Sequence, residues 1–79
     1  MKVLLFARAR DLAGADAIDV ELPPGATVAD VRRVLGGRYP RLAPLVERSA
    51  FAVDDEFACD DVVIHANAVV ALLPPVSGG

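Results

Sequence analysis

The sequence predicts a small α+β domain in which a mixed sheet packs against one main helix. Three observations support this fold class: two apolar strand-like segments near the N-terminus, one amphipathic stretch with helical spacing, and a set of short strand-like segments after it. A chain of 79 residues with a hydrophobic content of 54% has the material for one core in a single domain.

The first two predicted strands form an N-terminal hairpin. Residues 2–8 are mostly apolar, and in residues 17–22 the apolar Ile18, Val20 and Leu22 alternate with acidic residues. Alternation of this kind is typical of a half-buried strand. Residues 11–14, with the sequence DLAG, predict the turn between them.

The main helix is predicted over residues 27–37. Thr27 followed by Asp30 matches a capping box, and an apolar stripe at helical spacing follows it. Gly36 and Gly37 are predicted to end the helix, because glycine tolerates the left-handed conformation common at helix ends. The stripe contains Val28, Val31, Val34 and Leu35.

The second half of the chain predicts a short helix and three strands. The helix covers residues 41–48, with Leu42, Leu45 and Val46 facing inward and Pro44 limiting its regularity. Strands follow at residues 50–53 and 57–58, and a final strand at 69–73. Because residues 54–56 lack an Asn-Gly pair, we expect a loop looser than a tight hairpin turn.

The first and last strands are apolar on both faces. By alternation, Val3, Leu5, Val70 and Leu72 point one way, and Leu4, Phe6, Val69, Ala71 and Leu73 point the other way. Only one face lies under the main helix. The second face is therefore either an exposed docking surface or is covered by residues 40–50.

The last six residues predict a tail that leaves the domain, which gives a domain at residues 1–73 and a tail at 74–79. Pro74 and Pro75 favour an extended stalk, followed by Val76, Ser77, Gly78 and Gly79. An extended tail of this length reaches roughly 20 Å. Glycines without side chains suit a narrow channel, so the functional group is predicted to be the carboxylate of Gly79.

Composition argues against several classes of function. The net charge is −3 and no Lys/Arg cluster occurs, which argues against nucleic acid as a partner. The single Cys59 cannot form an internal disulfide. No apolar run approaches the ~20 residues needed to span a bilayer. We therefore expect a cytoplasmic protein without a membrane partner.

No set of side chains predicts a catalytic or metal site. His65 is interpreted as a loop histidine, and Cys59 as a small half-buried thiol. The four aspartates after residue 53 lack a calcium-loop pattern and are interpreted as solvated turn residues. They are Asp54, Asp55, Asp60 and Asp61.

Several motifs resemble the small subunit of molybdopterin synthase, a ubiquitin-like β-grasp sulfur carrier. They are FAxxRDxxG from Phe6 to Gly14, Thr27-Val28 with Leu35 and Tyr39-Pro40, AVDxE from Ala52, and the ending VALLPPVSGG from Val70. The ending is the most specific of these. Three positions depart from the family pattern: Asp11 stands for Glu, Asp54 for Asn, and residues 65–68 (HANA) for an acidic turn. We expect Asn67 to keep that turn in a left-handed conformation.

The resemblance implies a function at the chain's end. An activating enzyme of the ubiquitin-activating-like class adenylates Gly79 with ATP, and a persulfide relay converts it to a thiocarboxylate. The large subunit of molybdopterin synthase then receives the tail, and the sulfur passes to cyclic pyranopterin monophosphate. The chain itself binds no cofactor and has no active site of its own, and two small and two large subunits form a heterotetramer. Phe6, Phe57 and Leu73 are the implied docking residues, and Arg10 a contact to an acidic residue of the partner.

Three other interpretations stay open. The first is a sulfur carrier of another pathway, such as thiamine thiazole synthesis or tRNA thiolation. The second is a ubiquitin-like modifier that joins Gly79 to target lysines. The third is an interaction module in which Gly78-Gly79 has no role.

Overall fold

The computed structural model describes residues 1–75, and within them five strands form one mixed sheet with three helices. The elements in chain order are β1 (Lys2–Leu5), α1 (Ala7–Ala13), β2 (Ala17–Asp19), α2 (Val28–Arg38), α3 (Ala43–Arg48), β3 (Ala50–Val53), β4 (Glu56–Ala58) and β5 (Val69–Leu73). The strand order across the sheet is β2-β1-β5-β3-β4. The predicted α+β class with a mixed sheet is confirmed.

The parallel pair at the centre of the sheet joins the two ends of the chain. Strand β5 pairs parallel to β1, with Val3 opposite Val70, and antiparallel to β3, with Phe51 opposite Leu72. Strands β1 and β2 pair antiparallel, as predicted, with Val3 opposite Ile18. The parallel pairing places the end of β5, where the tail begins, at the same end of the sheet as Leu5.

The connection between β1 and β2 is a helix, so the prediction of a strand to residue 8 and a turn at 11–14 is wrong. Ala, Arg and Leu are strong helix formers, and they dominate α1. Within the helix, Ala9 is completely buried. The helix ends at Gly14, whose φ of 72° is left-handed and whose N–H donates to the carbonyl of Arg10 at 2.9 Å.

Helix α2 begins as predicted and ends later than predicted. The N–H of Thr27 donates to a carboxylate oxygen of Asp30 at 2.9 Å, which confirms the capping box. Gly36 and Gly37 lie inside the helix and do not end it. A Cβ built on Gly36 would lie 3.6 Å from the Cβ of Ala43, so this position marks the close contact of α2 with α3. The helix stops before Pro40, whose ring disfavours a helical conformation at Tyr39.

The hairpin of β3 and β4 is tight, so the expected looser loop is wrong. Asp54 and Asp55 form a two-residue turn with φ angles of 49° and 71°. Both angles are left-handed, as a type I′ turn requires, and Asp adopts this region more readily than most residues. The predicted strand boundaries at 50–53 and 69–73 are confirmed.

The core lies between the inner face of the sheet and the helices. Phe51 of β3 is 1% exposed, and the inward residues of β1 and β5 are equally hidden. Helix α3 adds its buried residues to this same core, as predicted, and does not cover the other face of the sheet. The shared core includes Val3, Leu5, Val28, Val31, Leu35, Leu42, Leu45, Val46, Phe51, Val70 and Leu72.

Candidate docking surface

The outer face of the sheet, opposite the core, carries a row of apolar residues that crosses four strands. Strand pairing places Leu4 beside Ala71, Ala71 beside Ala52, and Ala52 beside Phe57. Successive residues of a strand point to opposite faces, so this row is separate from the core. We call the exposed or half-buried apolar side chains of this side the outer face: Leu4, Phe6, Phe57, Val69, Ala71 and Leu73.

The outer face is accessible to a partner. Phe57 is 79% exposed, and Phe6 and Val69 are each 43% exposed. Leu4, Ala71 and Leu73 are half-buried. The structure therefore brings the three predicted docking residues, Phe6, Phe57 and Leu73, to one side of one sheet. A contiguous apolar area of this kind is typical of a protein interaction site.

The tail begins at the border of the outer face. Leu5 pairs with Leu72, so Phe6 and Leu73 both stand where β1 and β5 end. Pro74 is half-buried and Pro75 is exposed. The predicted tail residues Val76, Ser77, Gly78 and Gly79 lie outside the described residues, and their role stays a prediction.

Arg10, the predicted contact to an acidic partner residue, projects from α1 and not from a strand. Its Nε lies 3.8 Å from Asp16 and 4.0 Å from Asp11, and its side chain is 52% exposed. Ion pairs this long and this exposed contribute little to stability. The guanidinium is therefore accessible to another carboxylate.

Asp54 joins the β3–β4 turn to the loop that precedes β5. One carboxylate oxygen accepts the N–H of Val69 at 2.9 Å, and the other lies 2.6 Å from Nε2 of His65. The Val69 N–H, and after it the His65 ring, hold the pKa of the Asp54 carboxyl below its ordinary value. His65 lies in a loop, as interpreted, and folding places a carboxylate from 11 residues away beside its ring.

The residues that depart from the family pattern still form a turn at Ala66-Asn67. Asn67 is not among the non-glycine residues with positive φ, so the expected left-handed conformation is wrong. The bond between the N–H of Ala68 and the carbonyl of His65, at 3.1 Å, closes the turn without it.

Arg32 of α2 connects the C-terminal end of α3 to the loop after β4, a role that the sequence did not predict. Its guanidinium donates to the carbonyls of Val46 at 2.6 Å and Ser49 at 3.0 Å, and to Asp60 at 2.8 Å. It also lies 4.9 Å from the centre of the Phe51 ring. Asp60 is therefore an ion-pair partner and not only a solvated turn residue. The only sequence signal was an arginine beside the apolar stripe of α2.

The remaining reactive side chains form no cluster. Cys59 is exposed, so its interpretation as half-buried is wrong. Within residues 1–75, no group of three or more His, Cys, Asp or Glu side chains is placed to hold a metal ion. None of the helices described is long and apolar enough to cross a membrane.

The mixed sheet with a helix across its inner face, and with its last strand beside its first, defines a ubiquitin-like β-grasp domain, as the resemblance implied. The sequence agrees with this class. A sequence model of the ThiS family matches residues 3–79, and the chain belongs to this family.

Individual relatives and solved structures are similar to this chain over nearly its whole length. The molybdopterin synthase sulfur carrier subunit of Dictyostelium discoideum is 37% identical over 81 residues, which cover 99% of this chain and 94% of the relative. A putative molybdopterin converting factor subunit 1 from Pyrococcus furiosus superposes with a TM-score of 0.84 at 32% identity, covering 95% of each chain. The small archaeal modifier protein 1 of Haloferax volcanii has a TM-score of 0.84 at 28% identity, again over 95% of each chain. The resemblance to molybdopterin synthase sulfur carriers is thereby confirmed.

Proposed function

We propose that this chain is the sulfur carrier subunit of a molybdopterin synthase and that the carboxyl of Gly79 carries the sulfur. The observation that carries this proposal is the pairing of an open apolar sheet face with a tail that begins at its border. The similarity to sulfur carrier subunits over nearly the whole chain supports it.

Activation is required because a free carboxylate is a poor acyl donor. With a pKa of about 3.5 the α-carboxyl is ionised at neutral pH. ATP supplied to an activating enzyme converts it to an acyl adenylate and releases pyrophosphate. The terminal sulfur of a persulfide then attacks the acyl carbon and AMP leaves. Reduction of the resulting disulfide by a thiol gives the thiocarboxylate.

The large subunit of the synthase is the proposed acceptor. The outer face docks on it through Phe6, Phe57 and Leu73, and Arg10 contacts an acidic residue of the partner. Pro74 and Pro75 then direct Val76, Ser77, Gly78 and Gly79 into the partner's active site. There the sulfur passes to cyclic pyranopterin monophosphate, and two transfers build the dithiolene of molybdopterin. Two copies of each subunit form the proposed heterotetramer.

The proposal is tested by the intact mass of the chain purified from cells that make the molybdenum cofactor. We expect part of the population to be heavier by the exchange of one oxygen for one sulfur, and fragmentation to place this change at Gly79. A chain with no such species, from cells that are actively making the cofactor, would contradict the proposal.

A second candidate function is protein modification through Gly79. The similarity to small archaeal modifier protein 1 favours it, because that protein's name describes a modifier. This function predicts isopeptide bonds between Gly79 and lysines of other proteins. Tryptic peptides that carry the C-terminal remnant of this chain would support it, and their absence in cells that contain the thiocarboxylate would support the carrier function.

A sulfur carrier for another pathway shares the thiocarboxylate and differs in the acceptor. Mixing the thiocarboxylated chain with a purified large subunit of molybdopterin synthase, and separately with a thiazole synthase, discriminates the two. The proposed function predicts stable binding and sulfur transfer only with the first.

A further inference from the structure

Strand β4 extends the outer face to an open edge of the sheet. It is the last strand in the sheet order, so its outward N–H and C=O groups face no other strand within residues 1–75. Its central residue, Phe57, has the highest exposure among the large apolar side chains described, at 79%. An aromatic side chain this exposed at an open edge indicates a contact that a partner completes.

Charged residues are distributed unevenly along the sequence, and the part that contains β4 has no Lys or Arg. All eight Lys and Arg residues lie within residues 1–48, and residues 49–79 contain none. The same stretch holds five acidic residues, all within residues 54–61, which comprise the β3–β4 turn, β4 and the loop after it. These residues are Asp54, Asp55, Glu56, Asp60 and Asp61.

Two of these five carboxylates have internal roles. Asp54 accepts the N–H of Val69 and contacts His65, and Asp60 pairs with Arg32. The other three, Asp55, Glu56 and Asp61, are exposed and form no ion pair within the described part of the chain. They therefore leave negative charge along the β4 edge that no ion pair within residues 1–75 neutralises.

We infer that the β4 edge docks on a cationic border of the large subunit, where Lys or Arg side chains surround an apolar pocket for Phe57. This inference rests on the proposed function for the identity of the partner. Charge complementarity favours a protein with a cationic surface as the partner of the β4 edge. A second copy paired edge to edge would bring like charges together, and nucleic acid or an anionic membrane would be repelled.

The β4 edge would help to fix the orientation of docking. The apolar side chains of the outer face carry no charge, so orientation depends on charges around them, such as Lys2 beside Val69, and on the tail. An acidic border on one side of the outer face adds to these, and it also attracts the cationic partner before contact. Removing such border charges chiefly slows association and reduces its dependence on salt, with little effect on dissociation.

The experiment compares two variants with the same change in net charge. Asp55→Asn with Glu56→Gln removes border charge, and Glu21→Gln with Glu47→Gln removes two exposed charges elsewhere. Neither variant deletes a side-chain ion pair seen in residues 1–75. Association of each full chain with the purified large subunit is followed by stopped flow from low to high NaCl, after circular dichroism has established that both fold.

We expect the Asp55/Glu56 variant to associate about fivefold more slowly at low salt, with a flatter salt dependence. The Glu21/Glu47 variant should match the unaltered chain. Equal slowing of both variants, or of neither, while the unaltered chain binds, would overturn the β4-edge inference and leave the proposed function standing. Failure of the unaltered chain to bind the large subunit would contradict both.

Discussion

The two faces of the sheet are built from the same strands but have different roles, the inner face in stability and the outer face in binding. In β5, Val70 and Leu72 are completely buried, whereas Val69 is 43% exposed and Leu73 is half-buried. The inner residues contact the helices and hold the fold together. The outer residues are as apolar as the inner ones, but no element within residues 1–75 covers them. This is typical of residues that become buried when another protein binds. Stability and binding are therefore predicted to separate residue by residue along one strand.

The sharpest test of this separation compares the two phenylalanines of the β3–β4 hairpin, one in each strand. Phe51 is 1% exposed and Phe57 is 79% exposed. Phe51→Ala should lower the free energy of unfolding by about 3–5 kcal/mol, because it leaves a cavity in the core. Phe57→Ala should change it by less than about 0.5 kcal/mol. Urea denaturation followed by circular dichroism measures both, and similar losses for the two variants would contradict the two-face description.

Binding to the large subunit should depend on residues of the outer face, whose substitution leaves the stability of the monomer nearly unchanged. Leu73→Asp places a charge in the outer face, and we expect it to weaken binding to the large subunit by about 30-fold or more while the monomer stays folded. The matched control is Val63→Asp, because Val63 is 61% exposed and belongs to a bridge with Thr27 away from the outer face. Calorimetry that finds equal affinity for Leu73→Asp and the unaltered chain would exclude the outer face as the docking surface.

Acid should destabilise the domain through two carboxylates. The N–H of Thr27 holds the pKa of Asp30 below its ordinary value, and the N–H of Val69 does the same for Asp54. A lowered pKa in the folded state stabilises the protein above the ordinary pKa, and this stabilisation is lost as the pH falls through the folded-state value.

Asp30→Asn and Asp54→Asn should each flatten the fall of stability between about pH 5 and pH 2. Asp55→Asn is the control, because the Asp55 carboxylate accepts no hydrogen bond among those found in residues 1–75. Thermal unfolding across this pH range measures the slope. An unchanged slope in both Asp30 and Asp54 variants would show that these hydrogen bonds do not govern the acid response.

The smallest expected effect concerns the backbone beside Phe6. Ala7 has a φ of 51°, a left-handed conformation that costs an L-residue about 1 kcal/mol. Ala7→Gly should therefore raise the free energy of unfolding by up to about 1 kcal/mol, less the extra entropy of glycine in the unfolded chain. Gly14→Ala should lower it by about 1 kcal/mol, because Gly14 has a φ of 72° and an added Cβ meets open space. A loss of stability in Ala7→Gly would show that the strain is offset locally.

Much of the fold follows from local pattern. Alternation along β5 predicts both its boundaries and the side of each residue, since period two is a property of the strand itself. The capping box at Thr27 and Asp30 is likewise a contact between residues three positions apart. Helix α1 is where local pattern misleads, because the apolar run after Lys2 predicts a longer strand although Ala, Arg and Leu of α1 are strong helix formers.

The interactions that pattern could not predict are long-range or depend on backbone angles. The bonds of Arg32 reach 14 to 28 residues along the chain, and His65 meets Asp54 only after the sheet has formed. The tight turn at Asp54-Asp55 lacks the usual glycine. For the candidate site, alternation and family resemblance together place Phe6, Phe57 and Leu73 on one side. That the acidic residues around β4 lie at an edge of the sheet follows only from the strand order, which the sequence did not predict.

The central claim, that the carboxyl of Gly79 carries the sulfur, is tested most directly by adding one alanine after Gly79. The rate of molybdopterin formation is measured with the purified activating enzyme, ATP, a persulfide donor, the large subunit and the precursor. The added residue leaves both faces of the sheet intact and displaces the reacting carboxyl by one residue. We predict that the extended chain binds the large subunit and forms no molybdopterin. Formation at the rate of the unaltered chain, with the added alanine still present by mass, would contradict the account.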